Sequence, residues 1–174
     1  MEEMKISFYK IITFVIVFFL LIVFWFGLQK DNSYNTKSLV GTNLSSFNLP
    51  SINNEDTITE NYLKNNKFTI INFFASWCAP CRIEHKYLLN LSNNGIKIVG
   101  VNFKDKKENA LQFLNELGNP YEFVAQDVDG KASISFGIYG IPESIIVNDK
   151  LIVIKKVIGP INQQIYEEIL ENLK

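Results

Sequence analysis

The strongest constraint on this chain is the run Ile70-Ile71-Asn72-Phe73-Phe74-Ala75-Ser76-Trp77-Cys78-Ala79-Pro80-Cys81-Arg82. It reads as a buried apolar strand that passes straight into C-x-x-C and then a helix. Cys78 and Cys81 are the only two cysteines of the sequence. On a helix that starts near Cys78 they share one face a turn apart, close enough for the sulfurs to bond. Cys78 then sits at the helix N-terminus, where unpaired N–H groups and the positive end of the dipole favour a thiolate. Cys81, one turn further in, is shielded and suited to act as the resolving thiol. A structural zinc site would take four Cys/His ligands, and the chain offers only these cysteines and a single histidine, His85. A purely structural bridge would gain little, because loop-closure stabilisation grows with the loop and this loop is minimal. The strand, the C-x-x-C and the helix together point to a dithiol/disulfide switch.

The second constraint lies at the N-terminus. From Ile11 to Leu28 the chain is almost wholly apolar, interrupted by Thr13 and Gly27. A spanning helix needs about twenty such residues, and the apolar region of a cleaved signal only roughly 7–15. The residues that follow, Gln29-Lys30-Asp31-Asn32, are polar and bulky and offer no small-residue cleavage site. Residues 1–28 are therefore expected to form an uncleaved membrane anchor, with Trp25 near one interface. Lys5 and Lys10 before the span and Lys30 and Lys37 after it leave the positive-inside count undecided. A short stub ahead of the span and a redox domain behind it lead to the expectation that the domain lies outside the cytoplasm. Such a compartment oxidises thiols, so a domain kept reduced there needs an electron supply. The formal net charge of −1 gives no electrostatic footprint for nucleic acid.

After the anchor, residues 29–46 read as a polar linker and 47–174 as one domain. Phe47-Asn48-Leu49 is expected as a short edge strand ended by Pro50. Thr57 to Leu63 should hold a strand residue or two and a short helix, and Lys67 to Ala75 the central strand. A helix follows from Cys78 to Ser92 with Ile83, Leu88 and Leu91 inward, stopped by Asn94-Gly95. Ile96 to Phe103 is a second apolar strand, and the charged run Lys104 to Glu108 a solvated loop and helix start. Leu111, Phe113, Leu114 and Leu117 supply the next helix face. Tyr121 to Gln126 is a third strand, and Ala132 to Phe136 a short helix. Ser144 to Val147 and Leu151 to Val157 form a hairpin around Asn148-Asp149-Lys150. The last helix is Asn162 to Leu173. Alternating strands and helices closed by a hairpin give an α/β fold with a mixed sheet.

Trp77-Cys78-Ala79-Pro80-Cys81-Arg82-Ile83-Glu84-His85, Val99-Gly100-Val101-Asn102, Gly118-Asn119-Pro120-Tyr121 and Gly137-Ile138-Tyr139-Gly140-Ile141-Pro142-Glu143 follow one another along the chain. Together they resemble the thioredoxin superfamily, and within it the cytochrome c biogenesis branch of thiol:disulfide interchange proteins called DsbE or CcmG. The resemblance runs from about Leu39 to the C-terminus. It implies a thioredoxin-like mixed sheet flanked by helices, behind an N-terminal transmembrane helix in the inner (cytoplasmic) membrane. It also implies a periplasmic thiol:disulfide oxidoreductase that reduces apocytochrome c, or a cytochrome c maturation factor, for haem attachment. A membrane electron donor would re-reduce the Cys78–Cys81 disulfide, and no cofactor beyond that disulfide is implied.

By position, the resemblance makes Pro142 the loop proline that is cis in this superfamily, lying against Cys78. The Ile141 backbone would pair with an extended client strand. Glu84, one turn beyond Cys81, and Glu143, after the loop proline, match the family's acids, and either could take the proton of the buried thiol. Trp77 before Cys78 and Pro80 between the cysteines join Ile141 and Pro142 as the expected client-binding residues, Trp77 either packed beside the sulfurs or as plain core. Asn72 departs from ordinary thioredoxins, which carry an acid at that strand position, and this moves acid–base work to Glu84 or Glu143. His85 is expected on the exposed helix face, without a catalytic role. Two rival functions stay open at this point: a general extracytoplasmic disulfide oxidase or isomerase, and a module that binds apocytochrome without redox work.

Overall fold

The computed structural model describes residues 2–28, 39–53, 56–64 and 66–173. It divides into two units, Met1–Asn35 and Thr36–Lys174. The first is helix α1, Glu2–Leu28. Its stretch Phe8–Leu28 is long and apolar enough to cross a membrane. No polar face interrupts it, so water is not its natural solvent.

The second unit is built on a five-stranded sheet. Strands β3 (Phe68–Phe74), β4 (Lys97–Phe103), β5 (Phe123–Asp127), β6 (Glu143–Asn148) and β7 (Val153–Ile158) lie in the order β5-β4-β3-β6-β7. β3, β4 and β5 are parallel, and β6 and β7 run antiparallel as the expected hairpin. The parallel strands read as nearly continuous apolar runs because both of their faces are covered. Helices α3 (Ala79–Asn93), α4 (Lys107–Leu117) and α6 (Gln163–Leu173) pack on one face around Ile70, Phe74, Leu88, Phe113 and Ile169. The other face buries Ile71, Phe73, Val101 and Ile145 beneath Leu49, Ile58, Leu63 and Phe136. Those four come from the small hairpin β1 (Asn48–Pro50) and β2 (Thr57–Thr59), from α2 (Glu60–Leu63), and from the residue that ends α5 (Lys131–Ser135).

Several boundaries differ from the sequence reading, each for a local reason. Pro50 closes β1 from inside the strand. The third strand starts at Phe123 because Tyr121 is drawn inward and its N–H is held by Asn119 Oδ1 at 3.0 Å. β7 starts at Val153, after Leu151 turns with a positive φ of 62°. Ile83 does not face inward: it is 64% exposed, and Glu84 and His85 occupy the buried side of α3 instead. Residues 39–46, expected as part of the linker, are instead folded. Gly41 N–H donates to Val153 O, Val153 N–H to Thr42 O and Leu44 N–H to Leu151 O, each within 3.0 Å. Leu44 is buried, so residues 39–46 belong to the folded unit, while 29–38 lie outside the described residues. At the opposite side of the sheet, Ile52 N–H donates to Val124 O and Ser51 bridges Ala125.

Candidate active site

β3 is the middle strand, so its C-terminal end delivers Ala75, Ser76 and Trp77 to the centre of one edge of the molecule. Cys78 follows as the N-cap of α3, in an extended conformation, with Pro80 in the first helical turn where no N–H is needed. The two cysteines form a disulfide, S–S 2.04 Å, Cα–Cα 5.3 Å. Cys81 N–H points at Cys78 Sγ at 3.2 Å, an arrangement ready to stabilise a thiolate on that sulfur. Cys78 is 4% exposed and Cys81 1%; around them Trp77, Ala79 and Pro80 are open to solvent. Trp77 is not core. It is 59% exposed, and its indole N–H donates to Lys104 O at 3.2 Å.

Further along α3 from Cys81, Glu84 enters a buried polar cluster. Glu84 is completely buried on α3; its Oε1 accepts from Asn72 Nδ2 at 2.9 Å and its Oε2 from Ile161 N–H at 2.7 Å. Removal from water outweighs these two hydrogen bonds and pushes the Glu84 carboxyl from 4.5 up to about 7. Asn72 sits mid-strand in β3, facing Gly100 on β4 and Ser144 on β6. Its amide nitrogen also donates to Ser144 Oγ at 3.0 Å, and its oxygen accepts from Tyr121 OH at 2.8 Å. Burial, helped by the Glu84 charge, raises the Tyr121 phenol well above its ordinary range, so it stays a donor. Gly100 makes room for that ring: a Cβ there would stand 2.8 Å from Tyr121 ring carbons. Along Tyr121–Asn72–Glu84 each hydrogen bond is donated toward the carboxylate, and the second Asn72 amide hydrogen goes to Ser144.

The loop proline is cis at Ile141-Pro142. Pro142 is buried, and Ile141 packs against the core cluster that includes both cysteines. Glu143 accepts from the N–H groups of Tyr139 (3.3 Å) and Gly140 (3.0 Å) on one oxygen, and its other oxygen pairs with Lys156 at 2.8 Å. The Glu84 carboxylate is thus engaged with Asn72 of β3 and the Ile161 N–H, whereas the Glu143 carboxylate is engaged with the loop that precedes Pro142 and with Lys156.

The run Lys104 to Glu108 is not simply a solvated loop. Asp105 is buried and accepts from Ser76 N–H at 2.7 Å, Asn102 Nδ2 at 3.1 Å and Lys106 N–H at 2.8 Å. Gln126 braces it, donating to Asn102 Oδ1 and to Asp105 O. Asp105 therefore ties the segment just before Cys78 to the ends of β4 and β5. His85 is likewise buried, not on an open helix face, because Phe113 stacks edge-on against it and Gly118 O bonds its Nε2 at 2.8 Å. Desolvation lowers its pKa.

Residues 39–173 match the Redoxin family. The chain is 36% identical over 159 residues to the thiol:disulfide interchange protein DsbE of Pseudomonas aeruginosa, covering 90% of this chain and 88% of that protein. The chain belongs to the Redoxin family, among its DsbE-type thiol:disulfide interchange proteins. It is also 33% identical to the thiol:disulfide interchange protein HelX of Rhodobacter capsulatus, with 83% of this chain and 82% of that protein covered. It is 50% identical to CycY of Rhizobium leguminosarum over 95 residues, about half of each chain. The fold matches the thioredoxin domain of a thiol-disulfide oxidoreductase from Bacteroides vulgatus, with a TM-score of 0.65 at 20% identity, covering 78% of this chain and 98% of that one. Family membership and the C-x-x-C disulfide make this DsbE-type protein a thiol:disulfide oxidoreductase.

Proposed function

We propose that the protein is a membrane-anchored reductant of the periplasm, held in the inner membrane by residues 8–28. Its client would be apocytochrome c, or a cytochrome c maturation factor, whose disulfide must be opened before haem attachment. The observation that carries the reading is the site itself: a disulfide at the N-terminus of α3, with an ionisable carboxyl raised to about 7 buried on the same helix. The cytochrome branch is supported by the four motifs that run in order from Trp77 to Glu143 and by the likeness to DsbE and HelX.

Reduced Cys78, as thiolate, attacks one sulfur of the client disulfide and forms a mixed disulfide. Cys81 gives its proton to Glu84, about half ionised near pH 7, and attacks Cys78 Sγ. The client leaves with two thiols, and Cys78–Cys81 is left oxidised for a membrane donor to reduce again. Ile141 and Pro142 hold the client backbone, and Trp77 and Pro80 border it. The direction of transfer follows the potentials: about 30 mV changes the driving energy by ~1.4 kcal/mol for two electrons. Cys81→Ser removes the resolving thiol, so cells producing it should accumulate a mixed disulfide between Cys78 and an apocytochrome or maturation factor. Recovery of only uncoupled protein, with cytochrome c maturation intact, would overturn the reading.

A further inference from the structure

Lys156 has no place in the thiol chemistry, yet its side chain is only 2% exposed. It lies on β7 opposite Ile145, and its ammonium reaches back to the loop that leads into β6. There it pairs with Glu143 Oε2 at 2.8 Å and donates to Gly137 O at 2.6 Å. The other Glu143 oxygen gathers the Tyr139 and Gly140 N–H groups, and the Tyr139 ring stands 5.8 Å from the same ammonium. One cation therefore grips the first and last residues of segment 137–143, which carries Ile141-Pro142 between them.

A buried ion pair is a poor way to gain stability, since apolar residues of the same volume do as well or better once desolvation is counted. What the pair does supply is a fixed geometry, because each charge is matched from defined directions by backbone groups of one loop. A loop that must meet an extended peptide in register needs such fixing: order present before binding does not have to be bought from the affinity.

We propose that Lys156 is a positioning residue for client recognition. Through Gly137 and Glu143 it holds the Ile141-Pro142 backbone in the shape that pairs with an extended, disulfide-bearing peptide. This rests on the redox reading above. Lys156 takes no part in the exchange between sulfurs: two client thiols form and the Cys78–Cys81 disulfide appears, with Lys156 contributing neither electron nor proton.

The test uses pre-reduced, full-length protein in detergent and single-turnover kinetics with two disulfides. One is a synthetic peptide with an oxidised Cys-x-x-Cys-His sequence; the other is hydroxyethyl disulfide, which has no backbone to hold. In K156M the half-saturating peptide concentration should rise at least tenfold with the limiting rate unchanged. The rate with hydroxyethyl disulfide and the potential of the Cys78–Cys81 couple against glutathione should stay at wild-type values. K156R, which keeps the charge and the donors, should restore peptide saturation to within about threefold. Should K156M fail to fold, K156Q carries the same comparison. Peptide saturation unchanged in a folded variant, or both disulfides slowed alike, would overturn the proposal. A wild-type protein that reduces hydroxyethyl disulfide but not the peptide would overturn the client reading along with it.

Discussion

Glu84 should give the protein a pH-dependent stability that one substitution removes. Its carboxyl titrates near 7 in the fold, against 4.5 ordinarily, because burial disfavours the charge more than Asn72 and Ile161 favour it. The folded chain thus binds this proton more tightly than the unfolded chain does. The contribution is complete below about pH 4.5 and is lost as pH rises through about 7. A rise from 4.5 to about 7, at ~1.4 kcal/mol for each pH unit, amounts to roughly 3 kcal/mol. Guanidinium denaturation of the oxidised protein at intervals from pH 4 to pH 9 reads this directly. Glu84→Gln cannot ionise, and its amide nitrogen must face the N–H of either Asn72 or Ile161, a mismatch of about 1–3 kcal/mol at every pH. The variant should therefore be weaker than wild type at pH 5 and close to it at pH 9. His85, whose lowered pKa acts in the opposite sense, is present in both proteins and cancels in the difference. Wild-type and variant curves running parallel from pH 4 to pH 9 would refute the reasoning.

Two other perturbations follow from the same cluster and its neighbour. Gly100→Ala places a methyl 2.8 Å from the Tyr121 ring; displacing that ring from Asn72 should cost about 1–3 kcal/mol, visible as a lowered melting temperature. Asp105→Asn keeps the shape but leaves one of the N–H groups of Ser76 and Lys106 without its oxygen. A loss of about 1–3 kcal/mol in denaturant unfolding is expected, with slower reduction of a peptide disulfide; unchanged values would show that Asp105 does not brace the cysteine segment.

The order of elements and the site's covalent centre were legible in the sequence because they are written locally. The apolar run into Cys78, the Asn94-Gly95 stop and the Asn148-Asp149-Lys150 turn each act through residues adjacent in the chain. What was not legible depends on pairing at a distance. Ile83 turns outward, against expectation, and Glu84 is buried on α3 because Asn72 and Ile161, 12 and 77 residues away, supply the donors that let a carboxylate leave water. Asp105 reads as one charge in a charged run until the fold brings the Ser76 N–H to it across 29 residues. The one available hint was polarity out of place: Asn72 and Asn102 both interrupt apolar strands, and both turn out to be hubs. Lys156 gave no such hint, since Lys155 beside it shares its chemistry and only the bulge between Ile146 and Val147 alters which residue of β7 faces in.

The two rims of the sheet are not bare. Residues 41–44 occupy backbone groups at the start of β7, and 51–52 do the same along β5. Strand edges left open invite other copies to zip on, and a protein concentrated on a surface runs that risk constantly. Here the chain's own leading segment acts as the guard rail, so self-association through those positions is closed off.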